Sequence, residues 1–262
     1  MAGELKVLTL NLRHGRGPRR GSAPWRREAF RRTTEDVVSV LRERSPDVVA
    51  LQEADRHSLF TGRFNHLARI ADGGGFDRTA HGTHFSARYR RFGMFYGTSI
   101  LSKRPIHSVR SVRFRARPLD TKGFVVTAVE VDDGSIDVAS VHLDFLAPFH
   151  RSQVRTLAET LAERGRPLVL MGDLNTTGRT GRSAVKRLMA ELLLEGPIDP
   201  GRMPTFPAHR PSRKLDWILV SPELELASYE VVPDVVSDHL AVEAVIRRKQ
   251  SIGVTPSSGR SS

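Results

Sequence analysis

The chain of 262 residues contains no cysteine. That absence removes disulfide staples and thiolate metal sites. Any metal must then be held by Asp, Glu, Asn or His, a ligand set that favours hard, oxygen-preferring ions. No apolar run reaches membrane-spanning length, and Met1-Ala-Gly-Glu-Leu-Lys leads directly into an alternating strand instead of a secretory signal. The expectation is a soluble, cytoplasmic protein. Acidic residues are missing from one long stretch: Arg78 to Arg117 holds ten Lys/Arg and no Asp or Glu. A second run, Arg13 to Arg32, holds eight arginines against the single acid Glu28.

The net charge is +12, with a pI near 11.0. An arginine-rich proteome alone produces such a sum, but clustering of this kind also suits a polyanionic or phosphate-bearing ligand. The hydrophobic fraction of 39% is enough for a sizeable core. No repeat of the usual periods is present.

Leu168-Val-Leu-Met171 reads as a short, doubly buried strand between Pro167 and Gly172. Asp173 and Asn175 follow it. In extended geometry two such residues share one face, where they can orient a water and a second group. They can equally cap an ordinary turn.

The same pattern of polar residues at strand ends recurs along the chain. Leu5 to Leu12 is a strand ending near Asn11, and residues 13–27 read as an Arg/Gly/Pro-rich loop. A helix is expected over 30–44, and the strand 47–51 delivers Gln52 and Glu53. A short helix over 63–71 is closed by Gly73-Gly-Gly75. Residues 76–131 look strand-like, with breaks at Gly93, Pro105, Pro118 and Gly123. The strand 135–143 carries His142, and 149–164 is an amphipathic helix. Another helix spans 183–194, and strands span 215–220, 224–232 and 240–246. The spacing favours one domain over 1–249 with two sheets packed face to face and helices outside. The Ser/Gly/Pro-rich segment 250–262 is expected to be a disordered tail.

Carboxylates are seldom left at buried strand ends unless they are paired or bind a metal. Asn11, Glu53, His142, Asp173, Asn175, Asp216, Asp238 and His239 all fall there. Taken singly, each has an ordinary alternative: His142 as a satisfied core histidine, Asp216 as the partner of Lys214, Ser237-Asp-His239 as a turn. Their recurrence on different strands suggests convergence.

Asn11 after a first strand, Leu51-Gln-Glu53, Tyr96-Gly-Thr-Ser-Ile-Leu-Ser-Lys-Arg-Pro-Ile106, Val141-His-Leu-Asp144, Met171-Gly-Asp-Leu-Asn175, Thr205-Phe206, Leu215-Asp-Trp-Ile218 and Ser237-Asp-His-Leu240 occur in one order. In that order the chain resembles the endonuclease/exonuclease/phosphatase (deoxyribonuclease I-like) superfamily, from about residue 4 to 247. The resemblance implies an α/β fold, a four-layer α/β/β/α sandwich of two packed mixed sheets flanked by helices. It also implies divalent-metal-dependent cleavage of phosphate esters, usually with Mg²⁺, Mn²⁺ being the alternative.

By matched motif, Glu53 is similar to the principal metal ligand, with Asn11 and Asp238 near the metal. Asp173 resembles the residue that activates or orients the attacking water, with Asn175 assisting. His239, oriented by Asp216, and His142 resemble the two histidines that contact the scissile phosphate. Tyr96 and Ser99 lie in a motif found at the active-site end. Arg88, Arg90 and Arg91, with Tyr89 and Phe92 among them, are the candidate substrate-binding cations. Arg13 departs from the pattern, standing where the abasic-site endonuclease branch typically has an acid.

The expected function is a metal-dependent phosphodiesterase, with nuclease action on DNA or RNA as the lead. The alternatives are a phospholipid or small-molecule phosphodiesterase or phosphatase, and an inactive nucleic-acid-binding member. No protein partner is inferable from the sequence.

Overall fold

A computed structural model of the chain describes residues 3–18, 27–58, 65–89, 92–116, 121–176, 178–197 and 203–249. The segment 250–262, expected to be a tail, lies outside the described residues. Two mixed sheets are packed face to face. One contains β1 (Leu5–Asn11), β2 (Val48–Ser58), β3 (Arg78–Tyr89), β4 (Phe92–Ser102), β10 (Leu224–Val231) and β11 (Val242–Arg248). Its strand order is β10-β11-β1-β2-β4-β3. The other runs β5 (Ile106–Arg113), β6 (Gly123–Val131), β7 (Gly134–His142), β8 (Leu168–Asp173) and β9 (Asp216–Val220), in that order.

Alternation decides which face of each strand enters which layer. Val7, Val48 and Ile100 from the first sheet meet Val125, Val138, Val169 and Ile218 from the second, forming the central core. The opposite face of the first sheet, through Leu8, Leu10 and Leu51, packs on α1 (Arg27–Arg44) and α2 (His66–Gly74). Val141, Leu168 and Leu170 do the same for α3 (Ala147–Ala162) and α4 (Gly178–Leu192). The layers are therefore α/β/β/α. Among the described residues no helix is long and apolar enough to cross a membrane.

Parallel pairs sit at the centre of both sheets: β1 beside β2, and β7 beside β8. Their carboxyl ends open on the same side, which is where ligands bind in sheets of this kind. Register does the rest. His142 is opposite Asp173, and Asp173 is opposite Asp216 on antiparallel β9. Gly172 permits that approach: at φ 141, a Cβ would lie 2.0 Å from the Val141 carbonyl oxygen.

Two elements differ from the sequence expectation. The strand expected to stop at Leu51 continues to Ser58, because β4 pairs with it past a bulge between Leu51 and Ala54. The expected loop after Asn11 contains a 3-10 turn, Arg13–Gly15. Both differences bear on the site.

Candidate active site

Glu53 lies in the β2 bulge at φ 51, a left-handed backbone that re-aims its side chain out of the strand's alternation. The neighbouring Gln52 stays buried and bridges the sheets, donating to Ser140 Oγ at 3.1 Å. Glu53 therefore projects among cations. Its Oε2 is 3.2 Å from His14 Nε2, and its Oε1 is 3.6 Å from Lys122 Nζ and 3.9 Å from His142 Nε2. Burial opposes its ionisation, yet the nearby cations His14 and Lys122 outweigh burial and hold the carboxyl well below the usual range.

Asp173, at the end of β8, is 2% exposed. Its Oδ2 accepts a hydrogen bond from Asn11 Nδ2 at 3.0 Å and lies 3.4 Å from His142 Nε2 and 3.9 Å from His239 Nε2. Its Oδ1 accepts from the Asn175 backbone amide at 3.0 Å. Burial pushes its pKa up to about 6, against the pull of His239.

The two histidines on either side differ in charge. His239 Nδ1 is 2.8 Å from Asp216 Oδ2, which also accepts from the Thr205 hydroxyl at 2.6 Å. Burial disfavours the imidazolium, but Asp216 beside it, with Asp173 and Asp238, raises the pKa of His239 to about 10. Carboxylates stand farther from His142, Asp173 Oδ2 at 3.4 Å from its Nε2. Burial, and Lys122 Nζ at 2.6 Å from its Nε2, hold it neutral.

Asn175 is placed differently from its sequence expectation. The strand ends at Asp173, and Asn175 is at φ 46, so the shared face of an extended pair does not extend to it. Its side-chain nitrogen donates to the Leu143 carbonyl at 2.8 Å, tying the loop after β8 to the end of β7. Asp238 sits at the rim, 3.3 Å from Arg13 Nε. The departure at Arg13 thus has a local partner. Tyr96 and Thr98 line a small polar cavity with Glu53, His14, His84, Lys122 and His142. Ser99 does not reach it, being buried with its hydroxyl 2.7 Å from His81 Nδ1. Arg90, Arg91 and the side chain of Arg88 lie outside the described residues, as do the side chains of Tyr89 and Phe92.

Sequence reasoning missed His14, Lys122 and His84. His14 falls inside the segment read as a loop, although His-Gly three residues after Asn11 was a visible signal. Lys122 directly precedes Gly123, read only as a strand break.

Two acid groups are candidates to hold a divalent cation. Ligand atoms of Asp173, Asp216 and His239 lie within 4.8 Å of one another. In that group His239 is an imidazolium already matched to Asp216, which leaves no open nitrogen ligand. Glu53 is part-exposed and its carboxyl is held ionised, so an oxygen-preferring cation fits there better.

A model of the Endonuclease/Exonuclease/phosphatase family matches residues 8–239. No curated protein matches the chain. Among solved structures, the endonuclease/exonuclease/phosphatase from Beutenbergia cavernae superposes with a TM-score of 0.75 at 22% identity, covering 94% of this chain and 72% of that one. The endonuclease/exonuclease/phosphatase from Bacteroides vulgatus gives 0.72 at 16% identity, over 94% and 100% of the two chains. Sphingomyelinase C from Streptomyces griseocarneus gives 0.67 at 21% identity, over 93% and 99%. These likenesses establish a common fold.

Proposed function

The chain belongs to the endonuclease/exonuclease/phosphatase family, and from that premise we propose that it hydrolyses phosphodiester bonds in DNA or RNA with a divalent metal. The observation that carries the reading is Asp173 set between a neutral and a cationic histidine, with Glu53 alongside. Phosphoryl transfer needs an aligned water and charge neutralised on the phosphate oxygens, and little else from the protein.

Asp173, once ionised, accepts a proton from the attacking water, while Asn11 and the Asn175 amide fix its two oxygens. His239 donates from Nε2 to a non-bridging phosphate oxygen, and Asp216 with Thr205 keeps the ring oriented and charged. Lys122 and His142 offer a second point of contact across the site. Glu53 and Asn11, with Asp238 at the rim, would hold Mg²⁺ or Mn²⁺, and such an ion would supply polarisation of the phosphate and stabilisation of the leaving oxygen.

Nucleic acid is favoured by the acid-free stretch from Arg78 to Arg117. Lipid phosphodiesters are the second reading, supported by Phe145 and Leu146, 62% and 39% exposed on the loop after His142. A side-by-side assay of plasmid DNA, RNA, a phospholipid and an inositol phosphate with Mg²⁺ tests both. Preferential cleavage of a polynucleotide is expected, and preferential phospholipid turnover would replace that reading. Failure to turn over any of them, or bis(p-nitrophenyl) phosphate, would leave an inactive nucleic-acid-binding protein.

A further inference from the structure

The turn after β1 holds two non-glycine residues in left-handed backbone, Arg13 at φ 48 and His14 at φ 54. Such a backbone is strained for a residue with a Cβ and persists only where its surroundings demand it. Gly15 closes the turn at φ 72, where a Cβ would lie 2.7 Å from the His66 ring. On the facing strand Glu53 is also left-handed, at φ 51. Both distortions aim at one point, where His14 Nε2 and Glu53 Oε2 are 3.2 Å apart.

Behind the ring, His14 Nδ1 is 2.9 Å from Asp55 Oδ1, and Asp55 is 1% exposed. When an ion displaces the Nε2 proton, a carboxylate in that place keeps the other proton on Nδ1 and leaves the Nε2 lone pair facing the ion, the usual support of a metal-binding histidine. Tyr96 meets the ring edge-on at 4.7 Å between centroids. The spacing also fits. Two ligands each about 2.1 Å from one ion, typical of imidazole and carboxylate, subtend roughly 100° when 3.2 Å apart. Octahedral and tetrahedral angles lie on either side of that value.

We propose that His14, positioned by Asp55, is a ligand of the metal held by Glu53, giving the site a preference for first-row transition cations over Mg²⁺. This rests on the reading that Glu53 binds the metal. Imidazole raises affinity for first-row transition ions, least for Mn²⁺, which serves as the paramagnetic probe, whereas Mg²⁺ selects oxygen. The competing arrangement is a structural one, an imidazolium salt-bridged to both carboxylates. The two differ in whether Nε2 carries a proton or the ion.

Mn²⁺ binding to the full chain, followed by electron paramagnetic resonance with Mg²⁺ as competitor, separates them. Wild type should show ¹⁴N coupling to bound Mn²⁺ in pulsed spectra. His14→Ala should lose that coupling and weaken Mn²⁺ by at least about 10-fold, with Asp55→Asn weakening it in the same direction. Mg²⁺ affinity should change much less, so the Mn²⁺/Mg²⁺ ratio falls. Absence of ¹⁴N coupling in wild type, a reading that needs no variant to fold, overturns the proposal. So does coupling retained, or the ratio unchanged, in His14→Ala. Glu53→Gln is the control: if it abolishes Mn²⁺ binding while His14→Ala leaves it intact, the inference about His14 alone fails. Unchanged binding in Glu53→Gln removes the metal-site reading beneath it.

Discussion

At the scale of single residues, the site separates chemically similar groups by their neighbours. His142 and His239 both border Asp173, yet only His239 has a buried carboxylate at its back. Asp173 and Glu53 are both carboxylates near cations, yet burial raises the first while surrounding cations lower the second. Groups whose environments push their pKa values apart in this way serve as acid and base. Asp173→Asn and His239→Ala should each reduce kcat by at least about 10²-fold, the usual size of general-base and electrostatic contributions. Circular dichroism would show an intact fold, and near wild-type turnover in either variant would remove the assignment.

The pH profile has a definite sign. Asp173 works ionised, so activity is lost as pH falls through about 6. His239 works protonated, so activity is lost as pH rises through about 10. A bell-shaped kcat/KM with those limbs is expected. Asp216→Asn should move the alkaline limb down, because it removes the charge that holds the His239 proton. An alkaline limb that stays in place would detach it from His239.

Strands and turns show why part of the site was readable from sequence and part was not. The buried run of β8 and the polar residues at strand ends are local, and periodicity reveals them, while the ordered motifs are legible only through the family resemblance. The layering of two sheets between helix pairs followed from the same patterns. The β2 bulge and the left-handed turn at Arg13 and His14 are not local signals. They arise from pairing with β4 and packing on His66, which link residues far apart in sequence. Hence the sequence pattern points to Glu53 and not to His14, its neighbour in space. Ser99 followed the same logic in reverse: its motif was recognised, but strand alternation turns its side chain into the core beside His81.

Gly172 is the element-scale position on which the site's register depends. With φ 141 and a Cβ 2.0 Å from the Val141 carbonyl oxygen, Gly172→Ala can only be accommodated by parting β8 from β7. Those strands carry Asp173 and His142. A loss of roughly 2 kcal/mol or more is expected from the strain and broken pairing. Urea unfolding would read it as a lower midpoint with little change in slope. An unaltered midpoint would show that the ladder can yield at no cost.

For the whole molecule, the second sheet sets out a line of candidate site residues ending in an exposed cation. Arg113 pairs with Gly123, Gly123 with His142, His142 with Asp173 and Asp173 with Asp216, so one row of register crosses all five strands. Three strand spacings separate Arg113 from Asp173, roughly 14 Å at about 4.8 Å each. A nucleic-acid strand carries one phosphate per 3.4 Å of duplex axis. On a nucleic acid cleaved at Asp173, Arg113 would stand several phosphates from the scissile one, where a cation contacts backbone without touching the chemistry. Arg110 and Arg115 are exposed on the same edge of the molecule. Replacing Arg110, Arg113 and Arg115 together by Gln lowers the formal charge of +12 by three. If these cations meet duplex DNA, the log–log dependence of binding on salt should become shallower by up to about 0.9 per lost contact. Turnover of bis(p-nitrophenyl) phosphate, too small to span the row, should stay close to wild type. A slope unchanged by the triple substitution would mean that this edge does not carry the polymer. A slope reduced together with small-substrate turnover would instead place these arginines in the site's own electrostatics.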